Sequence, residues 1–289
     1  EDVMTSQPSK KIDRWGPFVE SASESAALGF ARSVGVEISE ITHKETPKGK
    51  RLYYQIMQEG QLTTDLLPAI LSSAIQKLPI RKWMRWGSLK EKGFVRPIHW
   101  ILALWGEAVF PFSLFGKHSD RLTYGHRFHH PDALSISDPL SYETRLETKA
   151  FVVPNFKKRQ EQILIQFSNI QKEMNINIQP NPTLLDEVTG LVEHPNVLVG
   201  TFDERFLEVP AQAVVESLND HQKCFVCYSS DQKLLNQFVL VSNIQSSDPQ
   251  DVISGNERVV SARLSDAQFF YETDLKTGLS KMAEGLKTL

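Results

Sequence analysis

Two hydrophobic periods run through this 289-residue chain, and the irregular order in which they follow one another restricts the fold more than any other feature. From Thr63, the residues Leu66, Leu67, Ile70, Leu71, Ala74, Ile75 and Leu78 recur at about 3.6-residue spacing, which lines one face of a helix. Pro68 falls in the first turn, where a proline costs little, and Pro79 ends the run. Helical spacing also marks 22–34 before Gly35, 139–149, 155–173, 184–192, 211–218, and a long tail from Asp248-Pro249 to the end. The apolar run 97–105 (PIHWILALW), closed by Gly106, reads as a buried helix with proline near its start. Strand character marks 51–57, 108–115, 150–153, 196–199, 225–228 and 237–242, the last two pairing around the turn SSDQK. Residues 1–20 read as an extended lead-in with Gly16-Pro17 as a turn.

Short strands among helices in no fixed alternation predict an α+β fold, with mixed or antiparallel sheets and packed helices, instead of a doubly wound parallel sheet. The stretch INIQPNP at 176–182 is the expected linker. It divides the chain into an α+β body at 1–178 and a second α+β region at 179–289 that ends in a truncated helical tail. The polar opening and the ending KMAEGLKTL are expected to be the cut ends of an excised fragment.

A hydrophobic share of 40%, a charged share of 23% and a net charge of -3 are those of a soluble globular protein, and they exclude a chain that is basic throughout. No apolar run approaches the ~20 residues of a membrane helix, so no membrane contact is expected. Charge is uneven, however. Residues 81–130 hold nine Lys/Arg against three acids, with five of the eight histidines and four of the five tryptophans. Residues 183–223 reverse this, with eight acids against two bases, so two surfaces with different partners are expected. The two cysteines, Cys224 and Cys227, sit in alternating apolar sequence with no second C-x-x-C pair. They read as reduced thiols on a strand, which fits a cytosolic protein.

Three stretches carry residue types with chemistry. GHRFHHP at 125–131 offers His126, His129 and His130, with Asp132 beside them. A strand end running into a turn would scatter the rings, and no H-E-x-x-H helix exists, so no metal is expected and contact with RNA or a partner is. KWMRWG at 82–87 interleaves Lys82 and Arg85 with Trp83 and Trp86. This pattern suits nucleic acid, or else core tryptophans with basic neighbours. VVESLNDHQKCF at 214–225 gathers Asp220, His221, Gln222 and Lys223. Catalysis would also need a nucleophile or metal and an orienting partner, and no G-x-S-x-G, P-loop or G-x-G-x-x-G string is present. No catalytic residue is assigned. FDERFLEVP at 202–210 reads as an acidic loop anchored by Phe202 and Phe206.

Several strings together resemble the β subunit of bacterial heterotetrameric glycyl-tRNA synthetase. They are LLDEVTGLVEHPNVLVGTFDERFLEVP running on to SLNDHQKCF, FVRPIHWILALWG, TYGHRF, VSNIQSSDPQDVISGNERVVSARLSDAQFFYETD and, upstream, GPFVESASESAALGFARSVGV. They lie in collinear order over nearly the whole chain. Cys224 stands where the family pattern has tyrosine, and Trp83 where a small residue is usual.

The resemblance implies cytoplasmic aminoacylation, in which glycine is activated with ATP and Mg at the α subunit and then esterified to its tRNA. The β subunit would bind glycine tRNA and support α in an α2β2 assembly. The family's β chain is longer than this one and carries further domains C-terminal to it. Its N-terminal portion resembles the α+β B3/B4 region of the phenylalanyl-tRNA synthetase β subunit. This chain is then expected to hold no cofactor and no activation chemistry. Lys82, Arg85, Trp86, Arg96, His126, Arg127, His221, Gln222 and Lys223 are the candidate tRNA or interface residues. The alternatives are a tRNA-deacylating, editing-like hydrolase module and a pure assembly module for α. A pocket sized for glycine already rejects larger amino acids, which leaves alanine as the main error for a hydrolase to clear.

Overall fold

A computed structural model describes residues 4–86, 93–277, 281 and 283. The chain divides between Asp120 and Arg121 into two compact units.

The first unit opens with β1 (Lys10–Phe18), α1 (Glu24–Val34), β2 (Thr42–Thr46), β3 (Gly49–Gln58) and α2 (Thr63–Gln76). Its three strands form one antiparallel sheet in the order β1-β3-β2. Ser23 caps α1 by accepting from Ala26 N–H, and Gly35 closes the helix in the left-handed conformation at φ 75°. Ala31 of α1, Ile41 and Leu52 form the small core under the sheet.

The lead-in expected over 1–20 is corrected here: its second half holds the strand β1, with Gly16-Pro17 inside it. The ladder shifts register between Trp15 and Phe18, and a proline is tolerated at such a bulge because no pairing N–H is required of it. A Cβ on Gly16 would lie 2.8 Å from the Phe30 ring and 2.9 Å from Leu52 Cβ, so this glycine lets α1 approach the sheet.

Five short strands follow: β4 (Ile101–Leu102), β5 (Leu104–Trp105), β6 (Ala108–Val109), β7 (Ser113–Leu114) and β8 (Lys117–Asp120). The helix expected over 97–105 is therefore absent, and Trp100 is 43% exposed. A continuous apolar run has no period to tell helix from strand. Here Gly106, at φ 59°, folds the run back so that Leu104 pairs with Val109 and Trp105 with Ala108. The strand expected over 108–115 is broken into β6 and β7, with Pro111, which has no N–H to donate, between them.

The second unit contains β9 (Leu122–Tyr124), β10 (Ala133–Ser135), α3 (Tyr142–Lys149), α4 (Phe156–Met174), β11 (Asn177–Ile178) and α5 (Pro182–Leu191). After these come β12 (Asn196–Thr201), α6 (Ala211–Glu216), β13 (Phe225–Tyr228), β14 (Leu234–Ser242) and α7 (Pro249–Thr277). Its main sheet is antiparallel throughout, in the order β11-β13-β14-β12. The stretch 176–182, read as a linker, lies within this unit, where Ile178 pairs with Cys227.

Alternation along β13 sends successive side chains to opposite faces. Phe225 and Cys227 pack with Ile163, Phe167, Leu185 and Val188 of α4 and α5. Cys224 and Val226 pack with Phe206, Val214, Leu218, Val260 and Leu264 on the other side. The sheet is thus sealed by helices on both faces. The two cysteines point to different cores as free thiols, and burial pushes both up to about 12. Gly200 has no room for a side chain, since a Cβ would sit 2.5 Å from Phe238 Cζ.

The strand expected over 150–153 is also corrected. Ala150 ends α3 and Phe151 takes φ 54°, which no regular strand contains. The amides there are spent elsewhere, Val152 N–H on Leu146 O and Val153 N–H on Glu193 O.

Candidate functional site

The most elaborated polar cluster is built around His126. After β9, Gly125 passes so close to Ala150 that a Cβ would lie 2.5 Å from that residue's own Cβ. His126 N–H then donates to Ala150 O, and a single turn closes as His130 N–H donates to His126 O, each at 2.8 Å. The His126 ring is 2% exposed. Its Nε2–H donates to Asn243 O at 2.7 Å, and its Nδ1 accepts from the amides of Phe128 and His129 at 3.3 Å. Asn243 also receives the amides of Glu193 and His194 on its Oδ1, at 2.6 and 3.1 Å. His129 Nε2 accepts from Gln245 N–H at 3.1 Å. The stretches GHRFHH, EHP and SNIQ are therefore one hydrogen-bonded unit.

The rings of His129, His194 and Phe151 pack on one another with centroids 5.1–5.8 Å apart. Burial, then the neighbouring His129 and His126, hold His194 below the usual imidazole range. Among the described residues, no group of three or more His, Cys, Asp or Glu side chains is placed to hold a metal ion. The turn leaves two side chains outward: Arg127, whose guanidinium lies 6.0 Å from the Phe128 ring centroid, and Phe128 itself, 71% exposed. Sequence alone points to none of Phe151, His194, Asn243 or Gln245 as partners of His126 and His129. A positive φ at a phenylalanine leaves no mark in composition.

The polar knot is divided, not convergent. After α6 the helix widens into a π turn over Ser217–His221 and ends at Lys223, which takes φ 57°. His221 is exposed and borders a groove of about 340 Å³ beside α7, whose charged lining is Glu216, Arg263 and Asp266. Lys223 Nζ reaches Glu187 of α5 at 2.8 Å. The half-buried Gln222 offers its carbonyl to the Cys224 thiol at 3.5 Å. His221 and Lys223 thus serve opposite helical layers.

In the first unit, Lys82, Arg85 and Arg96 are exposed, while the tryptophans between them pack inward. Trp83 meets Phe94 edge-on at 6.4 Å, and Trp86 meets Phe115 at 5.8 Å. Met84 bridges to Phe94, and Gly93 is required beside it because a Cβ would lie 2.1 Å from Met84 O. Gly87, the end of that motif, lies outside the described residues. In the acidic loop, Phe206 and Phe202 are 0% and 5% exposed, so they anchor it as expected.

Fold and site define a class, a two-unit α+β protein whose conspicuous imidazole, amine and thiol groups are largely tied into its scaffold. The family model described as glycyl-tRNA synthetase beta subunit matches residues 1–289. The glycine–tRNA ligase beta subunit of Coxiella burnetii is 44% identical over 286 residues, covering 96% of this chain and 41% of the relative. That of Chromohalobacter salexigens is 42% identical over 294 residues, covering 100% and 42%. That of Marinobacter nauticus is 40% identical over 295 residues, with the same coverage. The chain belongs to the glycyl-tRNA synthetase beta subunit family, and it spans about two-fifths of the length of these curated relatives.

Proposed function

We infer that this chain works within a glycine–tRNA ligase, as part of the β subunit of a cytoplasmic α2β2 glycyl-tRNA synthetase, binding glycine tRNA and supporting the α subunit. The observation that carries this reading is the family match over the whole chain. ATP and its Mg belong to the α subunit in this reading, and no activation step is assigned to the residues described above. The α+β architecture is then that of the B3/B4 region of phenylalanyl-tRNA synthetase β. Among the described residues, no helix is long and apolar enough to cross a membrane. The exposed cations Lys82, Arg85, Arg96 and Arg127 are the proposed phosphate contacts.

The division of the polar knot supports a non-catalytic role. One observation favours a second reading, assembly alone: Phe269, Phe270 and Leu275 of α7 are 65%, 63% and 67% exposed.

Binding of glycine tRNA to the chain across a salt series separates the two. Under the tRNA-binding reading, log K falls against log salt with a slope steeper than about -2, the mark of several phosphate contacts. Tight capture of α with no tRNA binding at any salt would leave assembly as the function.

A further inference from the structure

The sheet of the first unit has two unlike faces. Leu52 turns toward the core beneath α1, so the neighbouring positions on β3 turn the other way. On that outer side β1 carries Lys11, Asp13 and Trp15, and the register sets Met57, Gln55 and Tyr53 directly across from them on β3. From β2, Thr42 stands opposite Tyr53 and Lys44 opposite Arg51. Lys11, Asp13, Trp15, Lys44, Gln55 and Met57 are all exposed, Trp15 by 39% and Met57 by 55%.

The groups on this face are ordered. The Trp15 and Tyr53 rings meet edge-on with centroids 5.0 Å apart. Lys44 Nζ stands over both, 4.6 Å from the Tyr53 centroid and 5.6 Å from that of Trp15. Tyr53 O–H donates to Asp13 Oδ1 at 2.5 Å, and Gln55 Nε2 donates to the same oxygen at 3.0 Å. The Tyr53 hydrogen bond, then that from Gln55, holds the Asp13 carboxyl below its ordinary range, and the same bond raises the Tyr53 phenol. The Asp13 carboxylate is therefore occupied by its neighbours, Lys44 supplies positive charge over the rings, and Lys11 adds another cation further along β1, while Arg51 is held by Gly16 O and the Phe18 ring.

We propose that this open face is a stacking platform for unpaired RNA bases, with Trp15 and Tyr53 taking the bases and Lys11 and Lys44 the adjoining phosphates. RNA-binding modules use open antiparallel sheets in this way, two or three bases resting on aromatics of the sheet. The connection β1-α1-β2-β3-α2 with strand order β1-β3-β2 follows the first five elements of the split βαβ arrangement.

Stacking on an aromatic needs no particular base, but it does need the base to be unpaired, so single strands are selected over duplex. A protein partner fits this face poorly. Lysine is depleted from the cores of protein interfaces, and Met57 is the one aliphatic side chain among the outward positions named. The proposal rests on the tRNA-binding reading and adds to it the place where unpaired nucleotides of that tRNA lie.

The test uses the whole chain, a short oligouridylate, an RNA duplex of equal length and a glycine tRNA transcript. The chain is expected to prefer the single strand to the duplex, and Trp15→Ala with Tyr53→Ala to weaken both oligouridylate and tRNA about tenfold or more. The slope against salt should stay as it was, because stacking releases no counterions. Trp15→Phe with Tyr53→Phe should restore most of the affinity, and equal melting curves for all variants exclude misfolding. Undiminished tRNA and oligouridylate binding in the double alanine variant overturns the platform and leaves the tRNA-binding reading standing. Equal affinity for duplex and single strand overturns the platform as well. A platform that holds oligouridylate on a chain that does not bind the tRNA overturns the tRNA-binding reading instead.

Discussion

Two of the antiparallel sheets, β1-β3-β2 and β11-β13-β14-β12, are built from similar strands and differ in what covers them. In the second unit, α4 and α5 seal one face of the sheet while α6 and α7 seal the other. In the first unit, α1 covers one face and the opposite face is open. Polar and sulfur groups next to the sealed sheet are consumed by the fold: the thiols point into two separate cores, and Lys223 braces α5. On the open sheet, aromatic and basic side chains are ordered by one another while still facing outward. Residue type therefore says little about function until the covering of its face is known.

The two sheets should differ most in stability. Phe238→Ala empties a fully buried ring from the sealed sheet and is expected to cost about 3–5 kcal/mol in denaturant unfolding. Trp15→Ala on the open sheet should stay within about 1 kcal/mol of the parent. Similar losses at the two sites would mean that the open face is covered after all.

A smaller contrast lies within the 126–130 turn. His126→Ala strands the carbonyl of Asn243 and the amides of Phe128 and His129, a loss of about 1–3 kcal/mol. Arg127→Ala next to it should change stability by no more than about 0.5 kcal/mol. The same pair of variants, compared in denaturant, shows whether the imidazole or the guanidinium is structural.

The buried thiols make stability depend on alkaline pH. Burial raises Cys224 and Cys227 from 9.0 to about 12, so the folded state favours the protonated form. Their contribution to stability is complete below pH 9 and is lost as pH climbs toward 12. At pH 8 a thiol-directed reagent should leave the native chain unmodified and react once denaturant opens it. Rapid native labelling of either cysteine would contradict a sealed sheet.

Much of the second unit was legible beforehand. The helical spacing at 155–173 and 184–192 announces α4 and α5, Asp248-Pro249 announces α7, and alternation brackets the β13–β14 hairpin around its turn. The first unit hid more. β1 is rich in charge and contains Gly-Pro, and its partner β3 lies some 40 residues on, so local signals describe a loop where long-range pairing makes a strand. The run 97–105 is apolar throughout, and only Gly106 decides its geometry.

The site shows the same divide. His126 and Lys223 attract notice by residue type, but the hydrogen bonds that employ them come from Asn243 and Glu187, far away in sequence. Trp15 and Tyr53 are unremarkable as letters, and they become a surface only once β1 and β3 are in register.

Ultraviolet crosslinking of glycine tRNA to the chain, followed by peptide mapping, tests most directly whether the open sheet or the polar knot faces RNA. Crosslinks at Trp15 and Tyr53 are expected, and they should disappear when both residues are replaced by alanine. Crosslinks confined to residues 217–223, with none on β1 or β3, would contradict the account.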